Sequence, residues 1–188
     1  MDLKNKNVIM GICGGIAAYK ACDIIRGLVK LGANVECILT CGGSKFITAL
    51  TLQTLSKNRV YVGMFDEPAV WEIEHISLAK KANMIVIVPA TADIISKLAC
   101  GRADDLLCAT VLASKSKILV CPAMNVNMFR HKAVQTNIRT LKSYGYDFVM
   151  PEKGELACGD IGDGRLAGSE NIISEIIKGL SKKCPKKI

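Results

Sequence analysis

The sequence predicts a doubly wound α/β fold, a parallel sheet with helices on both faces. Three observations predict it. Short apolar runs alternate with stretches of helical periodicity along the whole chain. The runs are continuously apolar, as strands buried on both faces are. Half of the 188 residues are hydrophobic but only 5% are aromatic, so the core is aliphatic and sulfur-rich, which suits a parallel sheet better than a sandwich. The length favours one domain.

Each element follows from its pattern. "NVIMGIC" (7–13) is a short apolar run that ends in glycines, so a buried strand. In "IAAYKACDIIRGLVKLG", Ile16, Tyr19, Ile24, Leu28 and Leu31 recur at helical spacing and Gly32 is a stop signal. "NVECILT" (34–40) is a second strand, and "SKFITALTLQTLSK" is helical. A short strand near "RVYV", a loop with Pro68 and a short helix "EHISLAKKAN" follow. "MIVIVPA" (84–90) is the clearest strand, followed by helices "ADIISKLACG" and "DDLLCATVLAS". "KILVCPA" (117–123) is another strand, "NMFRHKAVQTNIRTLKSYG" one long helix, and "YDFVM" a last strand. "GELACGDIGDGRLAGS" (154–169) carries no helix or strand pattern and reads as a glycine-rich loop. "SENIISEIIKGLSKK" closes the domain as a helix, with Ser169 placed to cap it.

Composition narrows the function classes. Half of the net charge of +8 comes from Lys182, Lys183, Lys186 and Lys187 in the tail 182–188. Four lysines without aromatics read as a solvated end, not a nucleic-acid or membrane tether. No apolar run approaches the ~20 residues of a membrane span, and Met1 to Asn7 is too polar for a signal peptide. Most of the nine cysteines lie in apolar segments and read as small buried hydrophobes in a reducing cytoplasm. With no C-x-x-C pair and only His75 and His131, a metal site is not expected.

Ligands of open parallel sheets sit beyond the carboxyl ends of the strands. There the chain places "GICGGIAAYK", "TCGGSKF", "PATADIISK" and "PAMNVNMF", all rich in glycine, alanine, hydroxyls and amides. Four such loops at one edge argue for a ligand. The first is neither G-x-G-x-x-G nor a Walker loop. Its glycines free backbone N–H groups for an anion, although a tight strand-to-helix turn would need glycine equally. Glu36 lies mid-strand, away from where a ribose-binding acid belongs, and Thr40 suits a mononucleotide phosphate better. Thr91 or Asp93 offers a hydroxyl or carboxylate at a helix start or simply caps it. Asn125 either binds a carboxylate or caps the next helix. His75 is the residue of its segment that titrates near neutrality, and His131 falls in a solvent-facing stretch of the long helix.

Together "GGIAAYK", "EHISLAK", "PATADIISKLACGRADDLL", "PAMNVNM" and "LACGDIGDGRLA" resemble the phosphopantothenoylcysteine decarboxylases of coenzyme A synthesis. These belong to the homo-oligomeric flavin-containing cysteine decarboxylases. The resemblance spans residues 7 to about 168, with the motifs in the family's order. It implies a flavodoxin-like (Rossmann-like) fold and an FMN cofactor. It implies FMN phosphate at Gly14, Gly15 and Ile16 and near Thr40, and the flavin ring near Thr91, Ala92, Asp93, Ala123 and Met124. It places catalytic roles on His75, Asn125 and Cys158, with Met128, Ala157 and Gly159 beside the substrate. The glycine loop, about 151–168, becomes a substrate clamp within a decarboxylase domain of residues 1–181. One departure is Phe129, where the family usually has tryptophan. The resemblance also implies a homotrimer or dodecamer, and a phosphopantothenate–cysteine ligase either fused or separate.

Rival readings are a flavin-dependent decarboxylase of C-terminal peptidyl cysteines, a non-catalytic regulatory flavoprotein of the same fold, and an electron carrier. Cys158 tells against the first, because such enzymes stop at the ene-thiol and need no proton donor for a reductive step. Intact His75, Asn125 and Cys158 tell against the second. The basic charge and "GGIAA" tell against the third.

Overall fold

Six strands pair in parallel in the order β3-β2-β1-β4-β5-β6. They are β1 (Asn7–Ile12), β2 (Asn34–Leu39), β3 (Val60–Tyr61), β4 (Met84–Ala90), β5 (Lys117–Pro122) and β6 (Asp147–Phe148). The structure, a computed structural model, describes residues 2–64, 73–155, 159 and 161–181. Ala157, Cys158, the Pro68 loop and the basic tail lie outside the described residues.

The helices are α1 (Ala21–Lys30), α2 (Ala49–Ser56), α3 (Glu74–Lys81), α4 (Ala92–Ala99), α5 (Leu106–Ala113), α6 (Val126–Arg130), α7 (Lys132–Ser143) and α8 (Ser169–Ser181). Alternate residues of each strand feed two separate cores. Val8, Met10, Ile12, Val35, Cys37, Leu39, Met84, Val86 and Val88 pack with α1, α2 and α8. Ile9, Ile38, Ile85, Ile87, Ile118 and Val120 pack with α4, α5 and α7. Both faces need apolar residues, which is why the strands read as unbroken apolar runs.

The exception is Glu36, buried in mid-strand β2. Its carboxylate takes Lys81 Nζ at 2.6 Å and the Tyr61 hydroxyl at 3.0 Å. That lysine closes α3. At the other end of α3, Arg59 Nη2 lies 2.9 Å from Glu74 Oε1. Neither buried Glu74 oxygen has a hydrogen-bond partner among the described residues, so the contact is one of charge. Helix α3 is therefore tied to the sheet at both ends, and His75 occupies its first turn. Along the opposite, amino edge of the sheet, Asn58 donates to Asn34 and Asn34 to Asn7. Asn7 donates its backbone N–H to Asn83. This asparagine chain stitches the starts of neighbouring strands.

Four expectations need correction. The stretch 16–32 opens as a 3-10 turn, Ile16–Lys20, before α1 begins. In 44–57 the α-helix is confined to Ala49–Ser56, capped by the Thr48 hydroxyl, which accepts from Thr51 N–H. The long helix 127–145 breaks at His131, whose Nδ1 accepts from Ala133 N–H and caps α7, so this histidine starts a helix instead of riding on one. The glycine loop contains an antiparallel hairpin, β7 (Glu152–Glu155) with β8 (Ile161–Arg165), outside the main sheet.

Burial pushes the thiols of Cys13 and Cys37 up from 9.0 to about 12, with the charges of Asp105 and Glu36 adding to it. Unfolded, these thiols ionise near pH 9; folded, they hold their protons, so their contribution is complete below pH 9 and is lost as pH rises toward 12. The thermal midpoint is expected to fall across that window, and to fall less in Cys37→Ala, as circular dichroism would measure. Equal slopes in the two proteins would show that ionisation of Cys37 carries no folding cost.

Candidate functional site

The chain runs from β1 outward through β2 and β3, then returns to the other side of β1 as β4. The crevice of a doubly wound sheet opens where the order reverses. A cavity of about 520 Å³ lies there, walled by Cys13 and Gly14 after β1, Thr40 to Gly42 after β2, Val62 to Met64 after β3, and Thr91 and Asp93 after β4. That volume suits a single cofactor-sized molecule.

The first two walls are held backbone to backbone. A Cβ on Gly14 would come within 2.8 Å of the Gly42 carbonyl carbon, and one on Gly43 within 2.6 Å of the Ile12 oxygen. The Thr40 hydroxyl joins the same two turns, donating to Ile12 O and accepting from Gly43 N–H. Its only proton is thus committed inside the protein, and Thr40 shapes the turn more than it offers a donor. Gly15 differs. A Cβ there would meet nothing within 4 Å, and its φ of −166 suits any residue. Packing explains Gly14; open space remains beside Gly15. Among the described residues, the N–H groups of Gly15, Ile16 and Ala17 have no acceptor. Unpaired N–H groups beside an open position form a donor set for phosphate. The residues present therefore fit the phosphate of a mononucleotide.

The floor carries a charge network that sequence reasoning missed. Lys97 lies 3.3 Å from Asp105, 3.4 Å from Asp104 and 3.5 Å from Asp93. Asp105 also caps α5, accepting from Cys108 N–H at 2.8 Å. Burial works against the Lys97 charge, but Asp105, Asp93 and Asp104 outweigh it and raise its pKa. The signal was legible as Asp93 and Lys97 four apart on one helix face, followed by an Asp-Asp pair at a helix start. Asp104, Asp105 and Cys108 converge within 4.8 Å, yet Lys97 already supplies a cation there and burial raises the Cys108 thiol. Cys13, pushed up to about 12 by burial, is a neutral wall near physiological pH and no nucleophile.

Of the expected site residues, the cavity gathers Gly14, Thr40, Thr91 and Asp93. Thr91 caps α4, its hydroxyl accepting from Ile94 N–H at 3.3 Å, and Ala92 opens that helix. His75, Asn125 and Met128 are not among its walls. Asn125 caps α6, its Oδ1 accepting from Asn127 N–H at 2.8 Å, so the amide nitrogen is its donor end. Met128 is exposed, and Phe129 packs against the α4–α5–α7 core. The hairpin is seated on this segment. Met124 N–H donates to Gly164 O at 3.0 Å. A Cβ on Gly164 would overlap the Met124 carbonyl, and one on Gly162 would strike Val126 at 2.6 Å. Arg130 and Asp163 pair at 2.8 Å across the same seam. Gly159, at φ 85, lies at the exposed tip. Ala123 donates to Ala90 O, linking the ends of β4 and β5.

Fold and cavity together define a doubly wound protein with a mononucleotide-type crevice. The chain belongs to the flavoprotein family, whose pattern matches residues 1–181. It is 47% identical over 171 residues to the coenzyme A biosynthesis bifunctional protein CoaBC of Bacillus subtilis (strain 168), covering 91% of this chain and 42% of that one. It thus spans less than half the length of such relatives. Among solved structures it matches a PPC decarboxylase mutant complexed with pantothenoylaminoethenethiol, with a TM-score of 0.83 and 27% identity over 92% of this chain and 97% of that one. It also matches the FMN binding protein AtHal3, with a TM-score of 0.81 and 27% identity over 93% and 96%. Among the described residues, no helix is long and apolar enough to cross a membrane.

The two adjacent glycines should behave oppositely in protein freed of flavin. Gly14→Ala should lower stability by about 1–3 kcal/mol, the usual range for overpacking, because Gly42 backbone fills the space. Gly15→Ala should leave it unchanged. Urea titrations of the two variants decide the point; equal losses would contradict the packing at Gly14.

Proposed function

We propose that the chain binds FMN in the crevice and decarboxylates 4′-phosphopantothenoylcysteine to 4′-phosphopantetheine. Above all, this reading is supported by the correspondence of nearly the whole chain with a PPC decarboxylase. The names of the bifunctional relatives support a place in coenzyme A synthesis. A phosphopantothenate–cysteine ligase, fused or separate, would supply the substrate, and the reaction would run in the cytoplasm.

An α-carboxylate departs only if its electrons have a sink. Bound FMN would supply that sink, a two-electron oxidation of the substrate's thiol-bearing carbon with the electrons given back at the end. The protein's part is to hold, orient and protonate. The N–H groups of Gly15 and Ile16 hold the cofactor phosphate, with Gly14 and Thr40 fixing their turn. Thr91, Ala92, Asp93, Ala123 and Met124 border the ring. The Asn125 amide nitrogen holds the substrate carboxylate beside Met128. His75 orients or deprotonates the thiol. The hairpin closes as the clamp, with Ala157 and Gly159 against the substrate, and Cys158 donates the proton that completes the product.

The purified protein should be yellow, and Gly15→Asp should stay folded and colourless, because a carboxylate would occupy the open phosphate position. Mass spectrometry of the reaction should find phosphopantetheine. Cys158→Ser should still release carbon dioxide but stop at the ene-thiol, since serine is far less acidic than a thiol of pKa ~8.5. Colourless wild-type protein, or normal product from Cys158→Ser at the normal rate, would sink the cofactor and the cysteine assignment respectively.

His75 is not among the cavity walls traced by the described residues of its own chain, which supports a site shared between copies in a trimer or dodecamer. Mixing inactive His75→Asn with inactive Asn125→Gln subunits, after dissociation and reassembly, should restore part of the activity. No recovery in mixed assemblies would place both groups in one subunit.

A further inference from the structure

Helices α2, α4, α5, α6 and α7 each begin under a side-chain cap. The hydroxyls of Thr48 and Thr91, the Asp105 carboxylate, the Asn125 amide oxygen and His131 Nδ1 each accept a backbone N–H there. Helix α3, which carries His75 in its first turn, has no such cap. Its N-cap position is Ile73, an exposed residue with no acceptor on its side chain. Among the described residues, the N–H groups of Glu74 and His75 have no acceptor either. A first turn left uncapped frays unless another contact holds it.

Glu74 makes that contact. Its carboxylate lies in the first turn, where the helix dipole favours negative charge. Both oxygens are buried without a hydrogen bond, and Arg59 Nη2 lies 2.9 Å from Oε1. Removing the arginine would leave a desolvated carboxylate uncompensated, so the pair counts for more than an ion pair in open solvent. The Arg59 guanidinium lies over the Tyr61 ring, 4.9 Å from its centroid. The Tyr61 hydroxyl donates to Glu36, and Glu36 accepts from Lys81 in the last turn of α3. The contacts thus leave the helix at Glu74, cross β3 and β2, and return to it at Lys81. The Lys81 end is a hydrogen-bonded pair at 2.6 Å. The end beside His75 is held by charge alone.

We propose that Arg59 and Glu74 are positioning residues for His75, holding the uncapped turn so that the imidazole is presented to the substrate at a fixed place. This rests on the decarboxylase reading for what His75 does. Neither residue is among the cavity walls, and both act through the turn. Because the contact is one of charge, a lysine at position 59 serves in place of the arginine, whereas glutamine at either position does not.

Flavin-loaded wild type, Arg59→Gln, Glu74→Gln, the double glutamine variant and the conservative Arg59→Lys are compared. Hydrogen exchange followed by mass spectrometry reads the first turn of α3, with α7 as the internal reference. Carbon dioxide release from phosphopantothenoylcysteine gives kcat and KM. In the glutamine variants the amides of Ile76 and Ser77, which bond to Ile73 O, should exchange faster while α7 is unchanged. Their kcat should fall roughly tenfold to hundredfold, as a displacement of about 1 Å can cost, with KM and flavin content as in wild type. The double variant should lose no more than either single one, because one contact is removed in each case. Arg59→Lys should keep most of the rate and of the protection. Unchanged exchange in both single glutamine variants overturns the proposal, and so does an unchanged kcat. A change in KM or flavin content with kcat intact assigns the pair to the cavity wall that follows Tyr61 and overturns the role toward His75. Absence of carbon dioxide release from wild type would refute the reaction, and faster exchange in the glutamine variants would still show that the pair holds the His75 turn.

Discussion

Everything at the working edge depends on two backbone turns that touch without side chains between them. Strands β1 and β2 pair in parallel through Ile12 and Leu39, so the chain must leave both strands at the same level. Only glycine lets them do so. Gly14 lies against Gly42, and Gly43 lies under the Ile12 carbonyl, with the Thr40 hydroxyl bonded to both turns. Because the turns are bare, unpaired N–H groups face outward at the start of the first helix. Because the strand order reverses beside β1, those groups face a crevice instead of another strand. The same glycines that make the packing possible also make the cavity.

Charge is distributed unevenly around that edge. Beneath the cavity, Lys97 is overcompensated by Asp93, Asp104 and Asp105, which fixes the α4–α5 connection and leaves no net attraction for an anion. Burial keeps the Cys13 thiol neutral.

The main sheet was legible in the sequence because both faces of each strand are buried, so nothing interrupts runs such as Met84 to Ala90. The edge loops were legible as a group, since glycine, hydroxyl and amide residues recur after successive strands. The hairpin was not. Its strands contain Gly154, Gly162 and Gly164, which strand propensity disfavours. Two of these glycines exist because Met124 and Val126 press against them, a tertiary contact with no local signature. The break at His131 was hidden for a similar reason, since a histidine seldom announces a helix cap. Lys97 carries little local signal because its partners arrive from the next connection as well as its own helix. Glu36 lies mid-strand as its spacing predicts, but its pairing with Lys81 across 45 residues could not be read from spacing.

The remaining question is why the residues of the proposed chemistry are so firmly held when they do not share the cavity wall. Helix α3 is tied to β2 and β3 at both ends through Lys81–Glu36 and Glu74–Arg59, which fixes His75 relative to the sheet. The Asn125 segment is held by its own cap and by the hairpin seated on Met124 and Val126. The flavin-sized cavity is fixed by the glycine turns. Three stations on one stiff frame cannot be brought together by loop motion without breaking half-buried ion pairs or backbone contacts. Rigid stations of this kind suit a site assembled from more than one copy, the arrangement proposed above.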